Sequence, residues 1–142
     1  MTPKSLPPDE VESWLFRAQQ DLLAASVLVH EGLASEALFH CQQAAEKALK
    51  GFLTWHGKPF PKIHDLSELR PMCATIDVSL GAVLREADDL TAYAVRFRYP
   101  GAPYDPDGTE AEQALQLATR VVDEIQRRLT PPLDEARPPR QS

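Results

Sequence analysis

Between Ala34 and Phe52 the chain repeats apolar residues in alternating steps of four and three: Ala34, Leu38, Cys41, Ala45, Ala48 and Phe52. That spacing places every one of them on the same stripe of a helix and leaves little room for a strand or an irregular segment. Several members of the stripe are small, and small side chains let a neighbouring backbone come close. The spacing therefore predicts a helix over about Ser35 to Trp55 at the centre of a bundle, with Leu49 and Leu53 widening its apolar face. Gly51, near its end, costs such a helix only about 1 kcal/mol of propensity.

The rest of the chain supplies partners for that seam. Pro7 and Pro8 precede a first helix over about Asp9 to His30, with Asp9, Glu10 and Glu12 at its positive end and Trp14, Leu15, Ala18, Leu22, Ala25 and Val29 at helical spacing. Gly32 is expected to stop it. The run His56-Gly-Lys-Pro-Phe-Pro61 reads as a loop. Asp65 is expected to cap a short helix containing Leu66 and Leu69, with Pro71 closing the turn. A third long helix is expected from Ile76 to Phe97 on the stripe Leu80, Val83, Leu84, Ala87, Leu90 and Ala94. Tyr99 to Gly108 is rich in turn formers and reads as a loop. Thr109 and Glu112 have capping-box spacing and predict a last helix through about Leu129, with Ala111, Ala114, Ala118, Val121 and Ile125 inward. The fold class is all-α: an up-and-down bundle of four long helices and one short one over residues 9–130, with a disordered tail over 131–142.

Composition narrows the functional classes. With 142 residues, 43% of them hydrophobic, the chain has material for one core rather than two. A net charge of −6 weighs against a general binder of phosphate backbones, which lysine and arginine would make basic, while leaving room for a local basic site. No apolar run approaches the roughly 20 residues that span a bilayer, and a cytoplasmic protein is expected. Cys41 lies in an apolar stripe and Cys73 beside a proline break, so both read as buried thiols rather than a disulfide or a metal pair. Neither a His-Glu-x-x-His nor a Cys-x-x-Cys occurs, nor a phosphate-binding glycine loop, and no metal or cofactor is expected.

Two polar groupings remain. On the second helix, Gln43, Glu46, Lys47 and Lys50 share a face beside Gln42, and Glu46 and Lys50 stand at pairing distance. As a solvated flank, each such pair adds roughly 0.2–0.5 kcal/mol. At the end of the third long helix, Arg96-Phe-Arg98-Tyr99 runs into the proline-rich loop, where guanidinium forks could hold phosphate or carboxylate and Asp88, Asp89 and Tyr93 line the preceding turns. The competing account is charge compensation at a helix C-terminus.

Three stretches taken in order carry a family likeness. Ala37-Leu-Phe-His-Cys-Gln-Gln-Ala-Ala-Glu-Lys-Ala-Leu-Lys50, then Lys62-Ile-His-Asp-Leu66, then Arg98-Tyr-Pro100, together with Trp14 through Asp21-Leu22, resemble the HEPN domain family over about Val11 to Leu129. The resemblance implies a helical bundle that is often a homodimer and often has a minimal nucleotidyltransferase as its partner in toxin–antitoxin-like pairs. It extends to the C-terminal helical domain of aminoglycoside nucleotidyltransferases.

Many members of that family are metal-independent ribonucleases with an arginine, four to six arbitrary residues and a histidine. Arg96 or Arg98 matches the arginine. The histidine is missing: the windows hold Gly101, Ala102 and Pro103, or Pro103, Tyr104 and Asp105, and no histidine follows His64. The resemblance thus implies, first, a protein binding a nucleotide, RNA or a partner through Lys47, Lys50, Arg96, Arg98 and Tyr99. The second implication is an atypical ribonuclease toxin with Arg96, Arg98, His64 and Tyr104 as its catalytic candidates. A structural adaptor whose dimer face is its function is the third.

Overall fold

The computed structural model describes residues 8–62, 65–96, 100 and 105–136. Among them lie five α-helices: α1 (Pro8–His30), α2 (Ala34–Trp55), α3 (Leu66–Ile76), α4 (Gly81–Arg96) and α5 (Gly108–Ala136), with a 3-10 turn at Val78–Leu80 between α3 and α4. Helix α2 packs against all four of the others, as its small-residue seam predicts. Its side chains Leu38, Cys41, Ala45, Ala48, Leu49, Phe52 and Leu53 are buried together with Leu15, Ala18 and Leu22 of α1, Leu84 and Leu90 of α4, and Val121, Ile125 and Leu129 of α5.

Both long hairpin ends are closed by a glycine in the left-handed region. After α1, Gly32 has φ +80°, and the Leu33 and Gly32 amides donate to the carbonyls of Leu28 and Val29. After α2, Gly57 has φ +66°, and the Lys58 and Gly57 amides donate to Leu53 and Thr54. Each satisfies carbonyls that the helix end would otherwise leave open, at a backbone conformation that costs other residues more.

Four boundaries differ from the sequence expectation. Pro71 does not close the short helix but sits inside α3, which continues to Ile76. Burial of Leu69 before it and Cys73 after it keeps the turn helical despite the lost amide donor. The true break is Asp77, whose carboxylate accepts from the Ser79 amide at 3.0 Å and caps the 3-10 turn, so α4 begins at Gly81 rather than Ile76. Helix α5 is opened by Asp107 and not Thr109: Asp107 Oδ1 accepts from the Glu110 amide at 2.9 Å, and Glu110 Oε1 accepts from the Asp107 amide at 3.3 Å. This is a reciprocal box two residues earlier than expected, with aspartate in the cap. At its other end α5 passes Leu129, Pro131 and Pro132 to reach Ala136. Proline's fixed φ is helical, so two prolines can follow the helix while forfeiting two hydrogen bonds. Of the tail expected to be disordered from 131, residues 137–142 lie outside the described residues. Asp65 caps α3 as expected, accepting from the Ser67 amide at 2.9 Å.

Ion pairs tie the periphery to this core. Arg70 of α3 grips Asp88 of α4 with Nε at 3.0 Å and a terminal nitrogen at 2.9 Å. Arg128 of α5 holds Asp77 at 3.1 Å, Ser79 at 2.8 Å and Glu124 at 2.5 Å, pinning the 3-10 turn to the last helix. Hydrogen bonds from Ser79 and Arg128 hold the Asp77 carboxyl below the usual range, and Arg128 does the same for Glu124. Lowered carboxylate pKa values mean stability that is present above the unfolded range, near pH 4, and lost as pH falls through the folded values. In urea titrations, Asp77→Asn should therefore be less stable than wild type at pH 6, and the gap should shrink as pH falls below about 4. A gap independent of pH would contradict this assignment.

The two thiols are enclosed. Burial pushes Cys41 and Cys73 each up to about 12, and Cys73 Sγ donates to the Leu49 carbonyl at 3.8 Å.

Candidate functional site

The chemistry of the described residues is concentrated where α1 meets α2. Asp21 sits on the buried side of α1, in step with Trp14, Ala18 and Ala25, and is 8% exposed. Both of its carboxylate oxygens are engaged by α2: Oδ1 lies 2.8 Å from His40 Nδ1 and Oδ2 lies 2.6 Å from Lys47 Nζ. An ionised carboxylate only accepts, so His40 donates from Nδ1. That imidazole, with Ser35, Glu36 and Phe39, lines a shallow cleft of about 310 Å³. The Phe39 ring meets the His40 ring edge-on at 5.4 Å.

One turn further along α2 the seam holds a second ion pair. Lys50 Nζ donates to Glu46 Oε2 at 2.9 Å, and Gln42 Nε2 donates to Glu46 Oε1 at 3.0 Å. Gln43 donates to Gln42 Oε1 at 2.8 Å. Glu46 and Lys50 are only 3% and 6% exposed. The ammonium also lies 5.8 Å from the Trp14 ring and 5.7 Å from the Phe60 ring, which meet each other edge to face at 6.2 Å. Two aromatic faces thus supply part of the solvation the buried cation has lost. This polar face is a closed seam and not the solvated flank that its composition suggested.

A larger cleft, of about 420 Å³, opens on the outer side of α1. Ser13, Phe16, Arg17, Gln20 and Asp21 of α1 line it together with Lys47 of α2. Lys47 is open enough to serve it, its side chain being 24% exposed. Phe16 is 62% exposed. Arg17 has no hydrogen bond or ion pair with a described residue, so its guanidinium is available.

Of the residues expected at a ligand, Lys47 and Lys50 have described side chains, and the two differ. Lys47 reaches a cleft. Lys50, although expected at a ligand, is enclosed with its ammonium already on Glu46. Arg96 ends α4, and its side chain, like Arg98, Tyr99, His64 and Tyr104, lies outside the described residues, as does the Tyr93 side chain. Asp88, expected near the arginines, is held by Arg70. Among the described residues no three His, Cys, Asp or Glu side chains gather as a metal site would require, and no helix is long and apolar enough to cross a membrane.

Comparison with known proteins sets this bundle in a family. The family model for the HEPN domain matches residues 11–129. The chain belongs to the HEPN domain family. Two solved structures agree with it. TT1696 from Thermus thermophilus is 30% identical with a TM-score of 0.68, over 82% of this chain and 96% of that one. ST0689, described as an archaeal HEPN homologue, is 27% identical with a TM-score of 0.64, over 83% of this chain and 96% of that one. No functionally curated protein matches the chain.

Within this HEPN domain, the residues that sequence reasoning missed are Arg17, His40 and the pairing role of Asp21. A signal for Asp21 existed: an acidic residue stands in register with Ala18 and Ala25 on a stripe that must be buried, and a buried carboxylate needs partners. His40 follows from it, since a hydrogen-bonding side chain one helix away is what such a carboxylate demands. Arg17 carries no comparable mark, because a surface arginine on a helix is ordinary.

Proposed function

We propose that this HEPN-domain protein binds a nucleotide, or a partner that handles one, without cleaving RNA by the family's arginine–histidine route. The observation that carries the proposal is Lys47: held on Asp21 at 2.6 Å, it presents a positioned ammonium at the mouth of a cleft that also contains Arg17, whose guanidinium no described residue engages. Positioned cations are what phosphate recognition requires in a chain whose overall charge is −6. Arg96, Arg98 and Tyr99 are proposed to add contacts from the end of α4, and Lys50 to serve the binding face indirectly by holding α1 on α2. The absence of any histidine after His64 supports the noncatalytic reading. We further propose a cytoplasmic homodimer that works with a minimal nucleotidyltransferase in a toxin–antitoxin-like pair.

The test is a binding titration of the full chain with ADP and with a short single-stranded RNA, alongside an RNA-cleavage assay. Saturable binding with the RNA left intact is the expected result. Cleavage that disappears in Arg98→Ala would replace this proposal with the atypical ribonuclease.

A further inference from the structure

We infer that the cleft between Phe16, Arg17 and Lys47 is a mononucleotide subsite, in which the two cations take the phosphate and the phenyl ring takes the base. The inference rests on the nucleotide-binding reading above and gives it a place on α1 and α2.

Ser13, Phe16, Arg17 and Gln20 occur at steps of three, one and three, so a single face of α1 presents a hydroxyl, a ring, a guanidinium and an amide to the same space. The Asp21 carboxylate in the wall is offset by the Lys47 ammonium at 2.6 Å and hydrogen-bonded by His40 at 2.8 Å, so it opposes an anion less than a bare carboxylate would, and Arg17 supplies the uncompensated charge. Lys47 has three N–H donors and spends one on Asp21, which leaves two for a ligand. Arg17 contributes a planar fork suited to two phosphate oxygens at once.

A smaller neighbouring cleft of about 200 Å³ shares Ser13 and Arg17 but contains Glu10, whose carboxylate would repel an anion. The phosphate therefore belongs on the Lys47 side of Arg17. At about 420 Å³ the cleft is within the size range of small-molecule sites. The ring decides the class of ligand. An acidic peptide would satisfy Arg17 and Lys47 but leave Phe16 exposed in water, and an apolar helix would cover Phe16 but strand two cations. A nucleotide brings both a flat π-face and a phosphate, and base stacking on exposed aromatic rings is a common mode of sequence-tolerant nucleotide binding.

A free nucleotide and the terminal nucleotide of an RNA offer the same chemistry. The experiment titrates the full chain with ADP, adenosine, inorganic phosphate, a 5′-phosphorylated hexauridylate and hexaglutamate, following the backbone amides of Ser13, Arg17 and Gln20 by NMR. Expected are shifts at these amides with ADP or the RNA, a loss of roughly tenfold or more in affinity in Arg17→Ala, and a loss of about fivefold or more in Phe16→Ala. Phosphate binding should be insensitive to Phe16→Ala. Both residues are exposed, and a urea midpoint unchanged from wild type confirms that the variants are folded. Tighter binding of the hexauridylate would assign the site to an RNA end, and tighter binding of ADP to a free nucleotide.

If ADP binding survives both substitutions but is lost in Arg96→Ala/Arg98→Ala, this site is overturned while the nucleotide-binding reading stands. If wild type binds none of the phosphate-bearing probes, both fall. Hexaglutamate binding as tightly as ADP, with no response to Phe16→Ala, would overturn the nucleotide in favour of an acidic protein partner.

Discussion

Glu46→Ala is expected to lower the free energy of unfolding by about 3–5 kcal/mol, the cost of leaving one partner of a buried ion pair behind. The pair is enclosed between α1 and α2, with Glu46 3% and Lys50 6% exposed. Without the carboxylate, Lys50 keeps, among the described residues, only the Trp14 and Phe60 rings, at 5.8 and 5.7 Å. Such rings offer about 0.5–2 kcal/mol, well short of the several kcal/mol needed to hold an ammonium out of water. The domain must then open the seam to rehydrate Lys50 or neutralise it. Replacing both charges, as in Glu46→Leu/Lys50→Met, should recover most of the loss, because the desolvation cost disappears along with the attraction. Urea unfolding at pH 7 measures both. A single variant within about 1 kcal/mol of wild type would mean that water reaches Lys50 without cost.

The second large effect concerns Gly51, where propensity and packing give opposite answers. Helix propensity alone favours replacing a mid-helix glycine by about 1 kcal/mol. In the bundle, a Cβ at Gly51 would lie 3.1 Å from Trp14 Cβ and 3.3 Å from Leu15 Cδ2. The leucine methyl can swing aside, but Trp14 Cβ is fixed to its backbone and moves only with α1. Gly51→Val adds two further carbons in that gap and is expected to destabilise by about 1–3 kcal/mol through overpacking. Thermal unfolding should show a lower midpoint, whereas a raised one would indicate that α1 is free to shift outward. Gly51 is thus a point of close approach between α1 and α2, and the Trp14–Lys50–Phe60 arrangement depends on that approach.

How far the sequence revealed this molecule differs from level to level. The helices were legible because each must bury one stripe, and the stripes through Leu38, Leu84 and Ile125 have no other geometry open to them. Helix ends were less legible, since several residues can perform the same local task. Both Asp107–Glu110 and Thr109–Glu112 have box spacing, and the choice between them depends on where the chain arrives from the preceding loop. Pro71 reads as a break because its local cost is real, but burial of Leu69 and Cys73 on either side outweighs it. The polar seam was hardest to foresee. Gln42, Glu46 and Lys50 look like surface residues in the sequence, yet all three are buried, and the rings beside Lys50, Trp14 and Phe60, come from two other parts of the chain. In the same way, Lys47 was identifiable as a cation, but its cleft depends on Arg17 and Phe16, which lie about thirty positions away on another helix.

The enclosed thiols have a practical consequence. With Cys41 and Cys73 both held near 12, about one sulfur in 10⁵ is a thiolate at neutral pH, and only the thiolate is an effective nucleophile. The native protein should therefore be nearly silent toward maleimides and mild oxidants while folded. A cysteine introduced on the outer face of α1, for instance Gln20→Cys at the rim of the cleft, could then carry a fluorophore without removal of the two natural sulfurs from the core. The same indifference makes alkylation of Cys41 and Cys73 a clock for opening of the bundle, because modification requires that the seam first come apart.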